Sequence, residues 1–257
     1  MKIWHMSGAG NDFMVMDARG GEYDFPALAV RLCSITGADG FMAVDHSAQA
    51  DFRLHFYNSD GSRGELCGNG SRCICRFAYE MGIAGENMAF ETDAGIAYGW
   101  RLEENRIRVQ LPAPGEAKLD YAPGVDYVEV GCPHALRQYR GELWADKNLL
   151  KGEMEDLRHD PMFPKGTNVN YYTWLDDATV RILTFERGVE NYTLACGTGT
   201  GALAVALWTR GLVPHGRLTV ENPGGTLYVT LSGENGRVHT LLLEGPADVL
   251  GFYEIQL

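Results

Sequence analysis

Two cysteines lie in nearly identical surroundings. Cys67 belongs to LCGNGSRCICRFAYEMG, from Leu66 to Gly82, and Cys196 to ACGTGTGALAVALWTRG, from Ala195 to Gly211. In each segment the cysteine is followed by glycine, a polar residue and a second glycine, and then by an apolar stretch of helical length. A thiol just ahead of a helix sits among unpaired backbone N–H groups, at the positive end of the helix dipole. That setting lowers its pKa and makes thiolate accessible near neutral pH. The same N–H groups, uncrowded at Gly68, Gly70, Gly197 and Gly199, can cradle a carboxylate. Two such loops facing one small ligand would hold an α-carboxylate and aim a sulfur at each face of the α-carbon. One thiolate would then remove a proton while the other thiol returns one from the far side. Without a cofactor to act as electron sink, the N–H dipoles would have to stabilise the carbanion. Cys73, Cys75 and Cys33 fall inside expected helices, where packing is their expected role.

The elements that must position these loops repeat with them. Cys67 and Cys196 are 129 positions apart, and so are Gly95 and Gly224, which occupy matching strand-turn-strand segments at Phe90 to Pro112 and Val220 to Pro246. An internal duplication is the simplest account. Strand-like patterns dominate both halves: MKIWHM, FMVMD, FMAVD, DFRLHFYN, AFETD, IAYGWRL and RIRVQL in the first, and VEVG, NVNYYTW, TVRILTFER, LTVEN, TLYVTL and HTLLLEG in the second. Helices are expected at 25–36, 70–81, 146–156 and 200–210. LPAPGEAKLDYAPG is the expected linker. The chain therefore reads as α+β, with two pseudo-symmetric domains at 1–117 and 118–248 and a cleft between them as the place for a site.

Composition narrows the class. The chain has 257 residues, 45% of them hydrophobic, with a formal net charge of −12 and no basic run, which argues against a nucleic-acid partner and for a small molecule. No apolar stretch approaches the roughly 20 residues of a membrane span, and MKIWHMSGAGNDF turns polar too early for a secretory signal. The expected location is the cytoplasm, with all six cysteines reduced. No Cys or His spacing suits a metal, so none is expected.

Beyond these patterns, GAGNDFMVMD near the start, FYNSDGSRGELCGNGSRC in the first half, and GCPH, TNVN and FERG followed by LACGTGTGA in the second resemble the diaminopimelate epimerases. The resemblance runs over nearly the whole chain. It implies a pyridoxal-independent enzyme without cofactor, folded as two α+β domains each built as a mixed sheet around a central helix, with the last strand, here 249–257 with FYEIQL, returning to the first domain. It also implies a homodimer. Carried over by motif, Cys67 and Cys196 match the acid/base pair, and Gly68, Asn69, Gly197 and Thr198 match the carboxylate-binding loops. Asn11, Asn58, Asn168, Glu186 and Arg187 match positions that hold the rest of the amino-acid substrate, and His134 and Glu186 match polar groups near the thiols. Arg187 has the fork geometry to pair with a distal carboxylate. Asn11 and Asn58 also suit a loop-shaping role, and His134 that of a hydrogen-bonded core histidine. Three positions depart from the family pattern: Cys132 stands where asparagine usually precedes Pro-His, Ser7 stands where histidine is common, and one extra residue lies between Arg187 and Cys196. A racemase of another amino acid, a thiol redox protein and a non-catalytic amino-acid binder are the alternatives.

Overall fold

The computed structural model describes residues 1–64, 67–234 and 236–255. The chain divides into two compact units, Met1–Gln110 with Glu244–Leu257, and Leu111–Leu243. The first crossing falls at the start of the Pro/Gly-rich stretch that begins with Leu111, a few residues before the division expected at 117.

In the first unit the order is β1 (Lys2–Gly8), β2 (Asn11–Asp17), α1 (Phe25–Thr36), β3 (Gly40–Asp45), β4 (Phe52–Asn58), α2 (Gly68–Glu80), β5 (Asn87–Thr92), β6 (Gly95–Arg101) and β7 (Arg106–Gln110). Antiparallel β1–β2, parallel β2–β3, antiparallel β3–β4, parallel β4–β5 and antiparallel β5–β6–β7 pairings follow one another along the chain. The two parallel steps are the ones bridged by α1 and α2, as a parallel connection requires. Asp24 caps α1 by accepting the N–H of Ala27, Pro26 occupies its first turn, and Gly37 ends it in the left-handed conformation at φ 75°. Leu28, Leu32, Met14, Met16 and Phe41 form the core beneath α1. α2 packs against β1, β2, β3, β6 and β7.

The second unit runs β8 (Lys118–Ala122), β9 (Val125–Val130), β10 (Cys132–Gln138), α3 (Lys147–Arg158), β11 (Asn168–Trp174), β12 (Thr179–Glu186), β13 (Asn191–Thr193), α4 (Gly197–Thr209), β14 (Arg217–Asn222), β15 (Gly225–Glu234) and β16 (Arg237–Pro246). Its pairings repeat the same sequence of senses: antiparallel β9–β10, parallel β10–β11, antiparallel β11–β12, parallel β12–β14 and antiparallel β14–β15. α4 is apolar all round and packs on β9, β10, β11, β14 and β15, which is how such a helix must be housed. Each unit is thus a mixed sheet around one buried helix, the α+β class expected from the repeat. The end of β16 and β17 (Asp248–Glu254) belong to the first unit, where β17 pairs antiparallel with β1. Gln256 and Leu257 of FYEIQL lie outside the described residues.

Several details differ from expectation. The stretch expected as a linker contains β8, and the short β13 was not among the expected strands. α2 and α4 begin at Gly68 and Gly197, earlier than the expected starts at 70 and 200, because the glycines form the first turn and the cysteines themselves are the extended cap residues. β10 is not among the expected strands, and it carries a proline, Pro133, of the kind that is found only at strand edges and starts. The chain admits it because Pro133 is the second residue of the strand, ahead of His134 where pairing with β11 begins, so its missing N–H costs no bond on that side.

Candidate active site

The first unit builds its site around the start of α2. Cys67 has extended backbone, φ −101° and ψ 124°, and its carbonyl accepts the N–H of Ser71, so the thiol stands at the cap position itself. Asn69 is buried. Its Nδ2 donates to Asn11 Oδ1, while its Oδ1 accepts Nη2 of Arg72 at 2.9 Å. Asn11, at the start of β2, in turn donates to Asp39 at 3.3 Å. The end of β1 presses on this turn, and a Cβ on Gly8 would lie 2.6 Å from the carbonyl oxygen of Asn69. Cys67, Gly68, Asn69 and Asn11 therefore form one connected group. Asn58 is exposed at the end of β4, where its side chain donates to Ser62 across a turn in which the Asn58 N–H also donates to the Ser62 carbonyl and its own carbonyl accepts the N–H of Gly61.

In the second unit, Cys196 has the same extended cap conformation, but its thiol is buried. The N–H of Gly199 donates to its sulfur at 3.3 Å, and Thr198 Oγ1 lies 3.5 Å away. Burial pushes this thiol's pKa up, and the carboxylate of Glu186 pushes it the same way. A Cβ at Gly199 would collide with Asn170 Oδ1, so the turn requires glycine there.

Beside Cys196, β10 and β11 run parallel with His134 opposite Asn168. Cys132 and His134, two residues apart, share one face of β10, and Asn168 and Asn170 share one face of β11. The Cys132 sulfur lies 3.4 Å from His134 Nε2 and 3.8 Å from Thr198 Oγ1, and accepts Asn168 Nδ2 at 3.2 Å. Asn168 Oδ1 accepts the backbone N–H of Arg187 at 2.8 Å. His134 is completely buried, and burial, assisted by the Arg187 charge, lowers its pKa to about 3. It is a neutral ring at working pH. Asn170 Nδ2 reaches His134 Nδ1 at 3.2 Å, which assigns the proton to Nε2, facing Cys132. Glu186 ends β12, and Arg187 directly follows it; Arg187 Nη1 donates to the carbonyl of Lys165, and among the described residues no carboxylate pairs with it.

Cys196, Gly197, Thr198, His134, Asn168, Glu186 and Arg187 are thus brought into one neighbourhood of the second unit. Sequence reasoning left out Asn170 here and Arg72 beside the first unit's loop, and treated Cys132 only as a departure. The period-two spacing of C-P-H and N-V-N was the available signal for Asn170 and Cys132. Among the described residues no group of His, Cys, Asp or Glu is arranged to hold a metal ion, and no helix is long and apolar enough to cross a membrane.

The diaminopimelate epimerase family profile matches residues 3–114 and 127–250. The chain is 37% identical to diaminopimelate epimerase of Aquifex aeolicus (strain VF5), covering 88% of each chain. It is 38% identical to diaminopimelate epimerase of Chlorobaculum tepidum, covering 94% of this chain and 96% of that one. In fold it is similar to the crystal structure of a Bacillus anthracis phenazine biosynthesis protein of the PhzF family, with a TM-score of 0.76 at 17% identity over 100% of this chain and 99% of the other.

Proposed function

The chain belongs to the diaminopimelate epimerase family, and from that premise we propose that it interconverts L,L- and meso-diaminopimelate by acid/base chemistry between Cys67 and Cys196. The observation that carries the proposal is the equivalence of the two cysteines: each is the extended cap of a buried helix, at the same place in the same order of strands and helices. In the proposed reaction, the N–H groups of the two helix starts hold the α-carboxylate and stabilise charge as the α-proton leaves. One sulfur, as thiolate, takes that proton. The other, as thiol, delivers a proton to the opposite face, and the reverse reaction exchanges the roles.

Support for a diacid substrate comes from Arg187, whose guanidinium has no carboxylate partner among the described residues and so has charge to offer a distal carboxylate. The backbone of Arg187 is held by Asn168, which ties the guanidinium's base to the Cys132 and His134 group. Cys132 favours a second version of the proposal, in which the same chemistry acts on another amino acid, because a sulfur takes the place of a family amide beside Asn168. The six free thiols suit a reducing compartment such as the cytoplasm. A homodimer, carried by the family likeness, completes the proposal and is checked by sedimentation.

The test is turnover of L,L-diaminopimelate by reduced protein stripped of metal and pyridoxal, run beside a panel of other L-amino acids. Conversion to the meso isomer supports the proposal. Inversion of another amino acid with diaminopimelate untouched selects the second version, and no inversion of any amino acid rejects both.

A further inference from the structure

Arg72, on the second turn of α2, is completely buried. Its Nε donates to the Pro246 carbonyl at 3.1 Å, Nη1 to the Gly68 carbonyl at 3.2 Å and Nη2 to Asn69 Oδ1 at 2.9 Å. Every one of those acceptors is neutral, and among the described residues no carboxylate forms an ion pair with it. A buried cation left without an anion is strongly unfavourable. Burial accordingly pulls its pKa down, and the groups that act in the opposite direction are Cys73 and Cys67. Cys73 is itself completely buried, with a thiol pushed up to about 12, and therefore stays neutral. Cys67 is half-buried. The other charged groups felt in this part of the unit are Asp12 on β2 and Asp248 on β17.

The duplicated loop has no such charge. The residue 129 positions after Arg72 is Gly201, and a Cβ there would lie 2.6 Å from Leu111 Cδ1 and 3.2 Å from Leu241 Cδ2, so the equivalent space is closed by apolar side chains. The second thiol instead feels a carboxylate, Glu186, and full burial. Environments that push two otherwise equivalent groups apart are how one site holds an acid and a base at the same pH.

We propose that Arg72 is a positioning residue whose buried guanidinium, joined to Gly68 and Asn69, makes Cys67 the anionic member of the pair and leaves Cys196 as the protonated one in the substrate-free protein. This rests on the acid/base roles proposed above. A purely structural role, fastening α2 to Pro246, would affect folding without touching thiol reactivity.

Alkylation by iodoacetamide reads the thiolate directly and needs no substrate, so its outcome is separate from that of the turnover assay. The rate at each cysteine, followed by peptide mass mapping in reduced protein across pH, should show Cys67 reacting well ahead of Cys196 at pH 7. In Arg72→Met the Cys67 profile should move to higher pH by about one unit, roughly a tenfold slower reaction at pH 7, with Cys196 unchanged. Arg72→Lys, which keeps the charge, should recover most of the wild-type profile. Superimposable Cys67 profiles in wild type and Arg72→Met would overturn the proposal. If Arg72→Met does not fold, the wild-type order decides: Cys196 reacting first at pH 7 would overturn it equally.

Discussion

His134 and Cys196 are both buried without charge, and each carries a consequence that single substitutions expose. The folded-state pKa of His134, about 3, lies below its ordinary 6.5. The unfolded chain therefore binds a proton that the folded chain refuses, and the stability contributed by the neutral ring is complete above pH 6.5 and lost as pH falls toward 3. Each pH unit in that window removes up to about 1.4 kcal/mol. His134→Gln should flatten this dependence, as measured by urea unfolding at a series of pH values; an unchanged slope would show that other groups set it. For the thiols, Cys67→Ala or Cys196→Ala should abolish inversion, and serine at either position should leave only slow α-proton exchange, since a hydroxyl is a far weaker base. Full activity in either alanine variant contradicts the acid/base assignment. Cys132→Asn restores the residue usual in the family, and the ratio of diaminopimelate turnover to that of other amino acids should rise if the sulfur reshapes the distal end of the site.

At the scale of elements, the two cysteine-capped helices carry both the site and much of the cores. Leu203 and Leu207 of α4 are completely buried. Leu207→Ala should cost about 2–5 kcal/mol, read as a lower denaturation midpoint with an unchanged slope. Gly199→Ala should lower both stability and activity, because the added methyl meets Asn170 Oδ1 and the sulfur of Cys196. Much of this level was legible in the chain. The Asp24 cap, Pro26 and Gly37 delimit α1 by local chemistry alone, and the repeat announced two equivalent helices. What stayed hidden depended on tertiary placement. β10 is concealed by Pro133, whose ring argues against a strand until β9 and β11 are seen to flank it. Arg72 offers no sequence signal either, since an arginine within a helix ordinarily lies in solvent, and only the packing of β1 and the returning chain around α2 buries it.

For the molecule as a whole, the first unit is completed by residues from the other end of the chain. Glu244 is nearly buried and accepts Arg106 at 3.0 Å and Arg108 at 2.9 and 2.6 Å. Asn105 donates to Asp248, β17 pairs with β1, and Arg72 and Arg76 donate to the carbonyls of Pro246 and Ala247. Removing residues 244–257 should therefore open the first unit selectively. Limited proteolysis of the truncated protein with mass mapping should show cleavage within 1–110 before cleavage within 111–243; equal resistance in both units would mean that the returning segment is dispensable. The repeat in the sequence foretold two similar units, whereas this closure depends on long-range contacts that no local pattern encodes.

The central claim is that two different sulfurs serve one carbon. In D2O, the protein acting on L,L-diaminopimelate to low conversion should place deuterium at the inverted carbon of the product while the recovered L,L substrate keeps its protium, since the departing proton and the arriving deuteron use different groups. Deuterium appearing equally in recovered substrate and product would mean that a single group handles both, and would contradict the account.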